Sequence, residues 1–146
     1  MNTVSMGDIG EAIAIADFTK AGAIVSKPLS NNARYDIIID INGKLFRVQV
    51  KTTSSVKEDK MVFATKTTNY VKGEHKSVHY TKEEVDMFYF YCAENDWRGL
   101  YLITDEVIPT EMRIRLVPPK NGQIKGVKMA EDYEFLHQFK NIQSES

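Results

Sequence analysis

Hydrophobic and polar residues alternate most clearly between Tyr35 and Thr53, in the segment YDIIIDINGKLFRVQVKTT. This alternation predicts two β-strands that form a hairpin, with Asn42-Gly43 as a two-residue type I′ turn between them. Asparagine and glycine suit this turn because they tolerate the positive φ angles that it requires. Ile41 is then expected to pair with Lys44, and the pairing continues outward from there.

The two faces of this hairpin differ in polarity, because side chains alternate between the faces of each strand. The apolar face, which is expected to lie against the core, consists of Tyr35, Ile37, Ile39, Ile41, Phe46, Val48 and Val50. The other face consists of Asp36, Ile38, Asp40, Leu45, Arg47, Gln49 and Lys51. The pairing places Asp36 opposite Gln49, so a carboxylate, a carboxamide and an ammonium group lie together on one side of a stiff ribbon. We take this cluster as the candidate active site.

Residues Gly7–Ala21 predict the first helix, and Gly22 is suited to end it in a left-handed conformation. Apolar residues nearly surround this helix, and Glu11 falls among them. A carboxylate in apolar surroundings is costly to bury unless a partner compensates it. Glu11 is therefore either a paired functional group or a partly exposed residue of the first turn, where the helix dipole favours a negative charge.

The segment between this helix and the hairpin predicts a short strand, Ala23–Lys27, which Pro28 ends, and then a loop. In the loop, Asn31 and Asn32 favour a turn, although asparagine amides also suit contacts with phosphate. After the hairpin, Met61–Lys66 alternates well enough to form a third strand of the same sheet.

Residues Thr67–Tyr80 are polar and basic and show no clear period, which predicts a long loop. Lysine and tyrosine side chains in and beside this segment are of the type that contacts a nucleic-acid backbone and stacks on bases. These candidates are Lys66, Tyr70, Lys72, Lys76, Tyr80 and Lys82. His75 and His79 have the spacing of a zinc pair on a helix, but no second cluster of Cys or His completes such a site.

The apolar run Met87–Cys92 predicts a central strand that is covered on both faces. A capping box at Thr81 and Glu84 predicts a short helical turn before it. Leu100–Thr104 predicts the next strand, paired with the central strand as a hairpin.

In Met112–Val117, Arg113 and Arg115 alternate with apolar residues, so one face of this predicted strand is exposed to solvent or to phosphate. Met129–Phe139 predicts an amphipathic C-terminal helix that covers another part of the sheet. Residues 141–146 predict a disordered tail.

The length of 146 residues indicates a single domain, residues 1–140. Its predicted elements give an α/β fold, with a central mixed sheet of about five strands, an N-terminal helix and a C-terminal helix. The sequence has neither an apolar run long enough for a transmembrane helix nor the pattern of a secretory signal. Cys92 is the single cysteine and lies in an apolar run, so we expect a buried thiol in a protein of the reducing cytoplasm.

The net charge of −1 conceals an uneven distribution. Lysine and arginine predominate between Lys44 and Lys82, whereas aspartate and glutamate predominate between Glu83 and Glu111. This division is compatible with a nucleic-acid-binding face on an otherwise neutral protein. Two solvated surfaces of opposite charge are the alternative.

Several of these motifs together resemble the PD-(D/E)XK nuclease superfamily. They are a helix with the pattern GxxGExxA, a short strand, and then Asp36 followed after twelve residues by Gln-x-Lys. The spacing is most similar to group I intron-encoded homing endonucleases, as are the later strands within VDMFYFYC and WRGLYLIT, and it is also similar to archaeal Holliday-junction resolvases. The resemblance covers residues 5–117 and implies a restriction-endonuclease-like core.

The resemblance also implies roles for the hairpin residues in phosphodiester hydrolysis with Mg²⁺, or with Mn²⁺ as a substitute. Asp36 would be the principal metal ligand, with the side-chain oxygen of Gln49 and the main-chain carbonyl of Val50 as further ligands. Lys51 would orient the water nucleophile or stabilise the developing charge on the phosphate. Glu11 would add a second carboxylate, directly or through water.

Two positions depart from the family pattern. Tyr35 replaces the proline before the aspartate, and Gln49 replaces the second acidic ligand, which lowers the negative charge at the metal by one. The implied function is that of a Mg²⁺-dependent endonuclease acting on double-stranded DNA as a homing endonuclease does. A Holliday-junction-resolving nuclease and a non-catalytic DNA-binding module on the same fold are the alternatives.

Symmetric DNA targets require two active sites, so we expect a homodimer or a homotetramer. The residues expected to contact DNA are Lys66, Tyr70, Lys72, Lys76, Arg47, Arg113 and Arg115.

Overall fold

The computed structural model describes residues 5–71, 73–104 and 106–145, without the side chains of residues 67–71 and 75–77. Its helices and strands follow the predicted order closely. In chain order they are α1 (Met6–Lys20), β1 (Ile24–Ser26), β2 (Ile37–Ile41), β3 (Lys44–Thr53), β4 (Lys60–Ala64), β5 (Lys66–Val71), β6 (Glu74–His79), β7 (Met87–Cys92), β8 (Trp97–Leu102), β9 (Glu111–Arg115), β10 (Lys128–Met129), α2 (Ala130–Tyr133) and α3 (Phe135–Ser144).

A five-stranded sheet in the order β1-β2-β3-β7-β8 forms the centre of the fold. Strands β3 and β7 are parallel and the other neighbours are antiparallel, so the sheet is mixed, as predicted. Helix α1 contacts β3, whereas α2 and α3 contact β8. The α/β fold with an N-terminal and a C-terminal helical element is therefore confirmed.

The hairpin of β2 and β3 has the predicted turn and register. Asn42 and Gly43 have φ angles of 54° and 88°, and Ile41 pairs with Lys44. The paired ladder ends at Ile37 and Val48. The residue-for-residue pairing that the sequence predicts for Asp36 and Gln49 is not formed, because the chain departs from the ladder at that point.

Strand β7 is buried along its whole length, which confirms its prediction as a doubly covered central strand. Alternate side chains point into two separate hydrophobic cores. Met87, Tyr89 and Tyr91 lie in the core beneath α1 and α3, whereas Phe88, Phe90 and Cys92 lie in the core beneath β4 and β9. The sheet therefore separates a helical layer from a second β-layer.

Helix α1 begins after Ser5, whose hydroxyl accepts the main-chain N–H of Asp8 at 3.1 Å. The chain leaves the helix through Gly22 at a φ of 102°, a conformation that glycine adopts without steric cost. Gly10 faces β3 so closely that an added Cβ would lie 2.3 Å from Cγ2 of Thr52. The helix is thereby fixed against the apolar side of the hairpin.

Two predictions about the middle of the chain are wrong. Strand β4 does not extend the hairpin sheet but pairs with β9 in a second sheet of order β10-β9-β4. Its Phe63 ring stacks on Phe90 at 4.4 Å, which places this sheet over the other face of β7. The predicted long loop after β4 is instead the hairpin of β5 and β6. Its polar residues carry no apolar alternation by which the strands could have been recognised.

The C-terminal helical region also differs from its prediction. Glu134 adopts φ −55° and ψ 137°, an extended conformation that separates α2 from α3. Helix α3 then continues to Ser144, through four of the six residues for which the sequence predicts disorder, and Ile142 is 5% exposed. Within the described part of the chain, every helix is too short or too polar to span a bilayer.

Candidate active site

A cleft of about 330 Å³ opens where the ladder of β2 and β3 ends. Asp36 and Gln49 both line it, so the structure brings together the carboxylate and the carboxamide of the predicted site. The loop before β2 and the residue after β6 supply the remaining walls. These residues are Asn31, Asn32, Ala33, Arg34 and Tyr80.

Asp36 is fixed by two hydrogen bonds to β3. Its main-chain N–H donates to the carbonyl of Val48 at 2.9 Å, and its Oδ2 accepts the N–H of Val50 at 2.8 Å. Burial raises the pKa of Asp36, and Glu11 raises it further, although the Val50 N–H and the charge of Lys51 act in the opposite direction. The ionised carboxylate is therefore incompletely compensated by the protein.

The main-chain carbonyl of Val50 is placed to accompany that carboxylate. In an extended strand, the N–H and C=O of one residue point towards the same neighbouring strand. The N–H of Val50 points towards Asp36, and the β2–β3 ladder has already ended at Val48. The Val50 carbonyl thus faces the side on which Asp36 and the cleft lie.

Lys51 lies on the same face of β3 as Gln49 and is half-buried. Its ammonium donates to the carbonyl of Lys66 at 3.2 Å and lies 4.8 Å from the centroid of the Tyr80 ring. Burial lowers the pKa of Lys51, whereas the nearby charge of Asp36 raises it and that of Arg34 lowers it. Asp36 and Lys51 are therefore electrostatically coupled, and Gln49 lies beside Lys51 on the same face of β3.

Glu11 approaches this cluster from its edge, because α1 packs on the opposite, apolar face of the hairpin. Its Oε1 forms an ion pair with Nζ of Lys27, and this pair raises the pKa of Lys27. Glu11 and Lys27 line a separate shallow depression beside the cleft. The effect of Glu11 on the pKa of Asp36 shows that the two carboxylates are nevertheless within electrostatic reach.

The sequence-based reasoning missed Arg34 and assigned Tyr80 incorrectly. Tyr80 is 3% exposed, so it cannot stack on bases as predicted. Its hydroxyl has no hydrogen-bond partner among the described residues, and burial raises the pKa of Tyr80 to about 12. The guanidinium carbon of Arg34 lies 4.6 Å from the centroid of this ring. The position of Arg34, two residues before the candidate metal ligand Asp36, was the available sequence signal.

Asn31 and Asn32 lie in a turn of the loop before β2, as predicted, and both also line the cleft. The hydroxyl of Ser30 accepts the N–H of Asn32 at 3.0 Å, a bond typical of a turn. Asn31 and Asn32 nevertheless form part of the cleft wall. The alternative of phosphate contact is therefore compatible with their position.

The predicted DNA-binding residues lie in three different surroundings. Arg47 donates to the carboxylate of Asp86 through Nε at 3.0 Å and Nη2 at 3.2 Å. Its Nη2 also donates to the carbonyl of Lys82 at 3.1 Å. Arg113 and Arg115 flank the buried Ile114 on β9, and Nε of Arg113 donates to Glu111 at 2.8 Å. Lys66 begins β5, Lys72 lies outside the described residues, and the side chains of Tyr70 and Lys76 are not described.

The donor groups at the cleft fit a hard divalent cation. Asp36 and the amide oxygen of Gln49 at the cleft, the Val50 carbonyl that faces it and Glu11 beside it offer oxygen ligands, which Mg²⁺ prefers. Burial raises the pKa of Asp36, so the ionised carboxylate is disfavoured in the protein alone, and a bound cation would stabilise it. Across the described ranges, no three His, Cys, Asp or Glu side chains converge as a metal-binding group, so the amide and the carbonyl are needed to complete the set.

Comparison with known proteins gives two matches. The family model for PD-(D/E)XK endonuclease matches residues 1–136. The solved structure of a bacterial homing endonuclease, I-Ssp6803I, superposes with a TM-score of 0.71 at 25% sequence identity and covers 96% of each chain. No curated protein sequence matches this chain.

Proposed function

The chain belongs to the PD-(D/E)XK endonuclease family, and on this premise we propose that it hydrolyses phosphodiester bonds in double-stranded DNA as a metal-dependent homing endonuclease does. The observation that carries this proposal is that Asp36 and Gln49 line one cleft where the β2–β3 ladder ends, and that Lys51 is electrostatically coupled to Asp36. A scattered set of polar residues on a surface hairpin would not couple in this way.

We propose Mg²⁺, with Mn²⁺ as a substitute, as the cofactor. Asp36 would hold it with the Gln49 side-chain oxygen and the Val50 carbonyl, and Glu11 would contribute a second carboxylate directly or through water. When bound, the ion supplies activation of water and neutralisation of charge on the phosphate. The chain itself supplies the carboxylate of Asp36, whose ionised form is disfavoured by burial.

Lys51 has the position to act on the reacting groups. Its ammonium group is held by the Lys66 carbonyl and the Tyr80 ring, within the electrostatic reach of Asp36. A fixed positive charge at this place orients the attacking water or stabilises negative charge as it develops on the phosphate.

Contacts with DNA outside the cleft are proposed for Lys66, Tyr70, Lys72, Lys76, Arg113 and Arg115. Arg47 is left out of this surface because it could reach DNA only by giving up its pair with Asp86. Neutralising Lys72 and Lys76 is expected to weaken binding at all sequences and to reduce its salt dependence. An unchanged salt dependence would exclude these two lysines from the interface.

We also propose that the active form is a homodimer or a homotetramer. One cleft provides one set of reacting groups, and cleavage of both strands of a symmetric target needs two. Sedimentation of the protein alone and with a DNA duplex would test this assembly.

The direct test of the function is cleavage of linear and of four-way-junction DNA in Mg²⁺, by the wild type beside Asp36→Ala and Lys51→Ala. We expect the wild type to cut linear duplex DNA and both variants to bind it without cutting. Preference for the junction would indicate a resolving nuclease instead. Absence of wild-type cleavage in both Mg²⁺ and Mn²⁺, with DNA binding intact, would indicate a binding module.

A further inference from the structure

Arg34 lines the same cleft as Asp36 and Gln49, yet neither the proposed ligand set nor Lys51 gives it a role. Its side chain is held at three points. Nη2 donates to the carbonyl of His79 at 3.0 Å, and Nε lies 3.5 Å from Oε2 of Glu84. The guanidinium carbon also lies over the Tyr80 ring. A side chain that is already held loses little conformational entropy when it binds a ligand.

Tyr80 connects Arg34 with Lys51. Both cations lie over its ring, at 4.6 Å and 4.8 Å from the centroid. The ring is buried and packs edge-on against Phe88 with the centroids 5.6 Å apart, so it is a rigid support. Each cation gains from the ring quadrupole, which offsets part of the repulsion between the two positive charges.

A comparison with Arg47 indicates that Arg34 is more than a structural ion pair. Arg47 makes two side-chain hydrogen bonds to the carboxylate of Asp86, at 3.0 Å and 3.2 Å, and lies outside the cleft. The carboxylate contact of Arg34 is a single Nε–Oε2 distance of 3.5 Å without hydrogen-bond alignment. Arg34, which lines the cleft, is therefore less completely neutralised by its carboxylate partner than Arg47, which does not line it.

We propose that Arg34 is a catalytic residue that binds the scissile phosphodiester group of DNA, and that Tyr80 is a positioning residue that holds Arg34 beside Lys51. This inference rests on the proposed endonuclease function. A guanidinium group is always charged and presents a planar fork of donors that matches two phosphate oxygens. Its charge also offsets the repulsion between the phosphate and the carboxylates of Asp36 and Glu11.

The test compares Arg34→Gln and Arg34→Lys with Arg98→Gln as a matched control. The buried Nε of Arg98, like that of Arg34, has no hydrogen-bond partner among the described residues. Arg98 contacts carboxylates through Nε, 4.0 Å from Asp17, and Nη2, 3.3 Å from Asp96, but it lines a different cavity. Thermal unfolding of all three variants measures any loss of stability separately.

The first measurement is binding of a short DNA duplex to the metal-free protein in EDTA over a range of salt concentrations. Arg34→Gln is expected to reduce the slope of log affinity against log salt by about 0.9, the value for one phosphate contact. Arg34→Lys retains the charge and Arg98→Gln removes a charge elsewhere, so both are expected to keep the wild-type slope. An unchanged slope for Arg34→Gln would overturn the phosphate contact.

The second measurement is single-turnover cleavage at saturating DNA in Mg²⁺. Arg34→Gln is expected to lower the rate constant on the order of 100-fold, the usual effect of losing one donor to a developing charge. The rate constant of Arg34→Lys is expected to lie between those of the wild type and Arg34→Gln, because an ammonium group keeps the charge but lacks the planar pair of donors. A wild-type rate in Arg34→Gln would overturn the catalytic role. A wild type that cuts no DNA, beside an Arg34→Gln slope that falls, would overturn the endonuclease function and leave the phosphate contact standing.

The role of Tyr80 is tested in the same assay. Tyr80→Leu removes the ring that supports both cations, and it is expected to lower the saturating rate while leaving the half-saturating DNA concentration within about twofold. Tyr80→Phe keeps the ring and is expected to recover most of the loss. Equal rates in the two variants would remove Tyr80 from the proposal.

Discussion

The carboxylate of Asp36 accepts the main-chain N–H of Val50 at 2.8 Å, at the point where the ladder of β2 and β3 has ended. A continued ladder would supply a main-chain carbonyl for this N–H. The side chain of a candidate metal ligand therefore also satisfies a main-chain N–H of β3 just beyond the β2–β3 ladder. The same hydrogen bond therefore positions the Asp36 carboxylate at the cleft and marks the end of the β2–β3 ladder.

Replacing Asp36 with Asn is expected to stabilise the metal-free protein at pH 7 while abolishing cleavage. Burial holds the pKa of Asp36 above its usual 3.8, so the ionised form disfavours the folded state. This cost is present above the folded-state pKa and disappears as the pH falls towards 3.8. The amide oxygen of asparagine can still accept the Val50 N–H.

Thermal unfolding in EDTA at several pH values tests this prediction. The advantage of Asp36→Asn over the wild type is expected to shrink as the pH falls through the pKa of Asp36. A variant that is less stable than the wild type at pH 7 would show that the Val50 hydrogen bond to the ionised carboxylate outweighs its desolvation.

Gly10→Ala is expected to destabilise the protein, whereas Gly7→Ala in the same helix is expected to stabilise it. A Cβ at position 10 would lie 2.3 Å from Thr52, but one at position 7 would have no neighbour closer than 3.9 Å. Overpacking costs about 1–3 kcal/mol, and replacing an exposed helical glycine gains about 0.5–1 kcal/mol. Urea unfolding measures the free energy of unfolding of both variants. Equal changes in that free energy would show that α1 does not approach β3 closely at Gly10.

Gln49→Glu is expected to strengthen the binding of Mg²⁺ or Mn²⁺ by at least about tenfold, which corresponds to about 1.4 kcal/mol. The substitution adds a carboxylate to the cleft that already contains Asp36. Isothermal titration calorimetry measures the affinity, with Gln143→Glu on the exposed end of α3 as the control for net charge. Equal affinities for wild type and Gln49→Glu would exclude the side chain at position 49 from the ligand set.

Tyr80→Phe and Tyr89→Phe are expected to change stability in opposite directions. Both rings are buried, but the Tyr80 hydroxyl has no described partner, whereas the Tyr89 hydroxyl donates to Asp17 at 2.5 Å. Removing an unpaired buried hydroxyl is expected to raise the free energy of unfolding by about 1 kcal/mol, and removing a paired one to lower it by about 1 kcal/mol. Denaturant unfolding of the two variants measures these changes. A loss of stability in Tyr80→Phe would indicate that its hydroxyl is paired.

The hairpin could be predicted from sequence because its determinants are local. Asn42 and Gly43 specify the turn, and strict alternation then fixes which side chains share a face. The departure of Asp36 from the ladder could not be predicted, because it depends on the loop before β2. That loop lies against Glu84 through Arg34, a contact between residues distant in sequence.

The remaining errors also arise from contacts between distant residues. Tyr80 lies in a polar segment and was predicted to be exposed, but it is buried against Phe88 of the central strand. The alternation in β4 predicts a strand, but it does not predict that the partner of this strand is β9. Local pattern predicts an element and its faces, whereas tertiary packing decides its neighbours.

The two-residue turn at Asn42-Gly43 also sets a limit on how the length of this chain can vary. Asp36 lies directly before one strand of the hairpin, and Gln49 and Lys51 lie on the other strand, where Gln49 lines the cleft together with Asp36. One residue inserted or deleted within either strand would rotate everything beyond it to the opposite face. Relatives that retain this site should therefore confine insertions and deletions to segments outside Asp36–Lys51, which makes the interval itself a recognisable signature of the site.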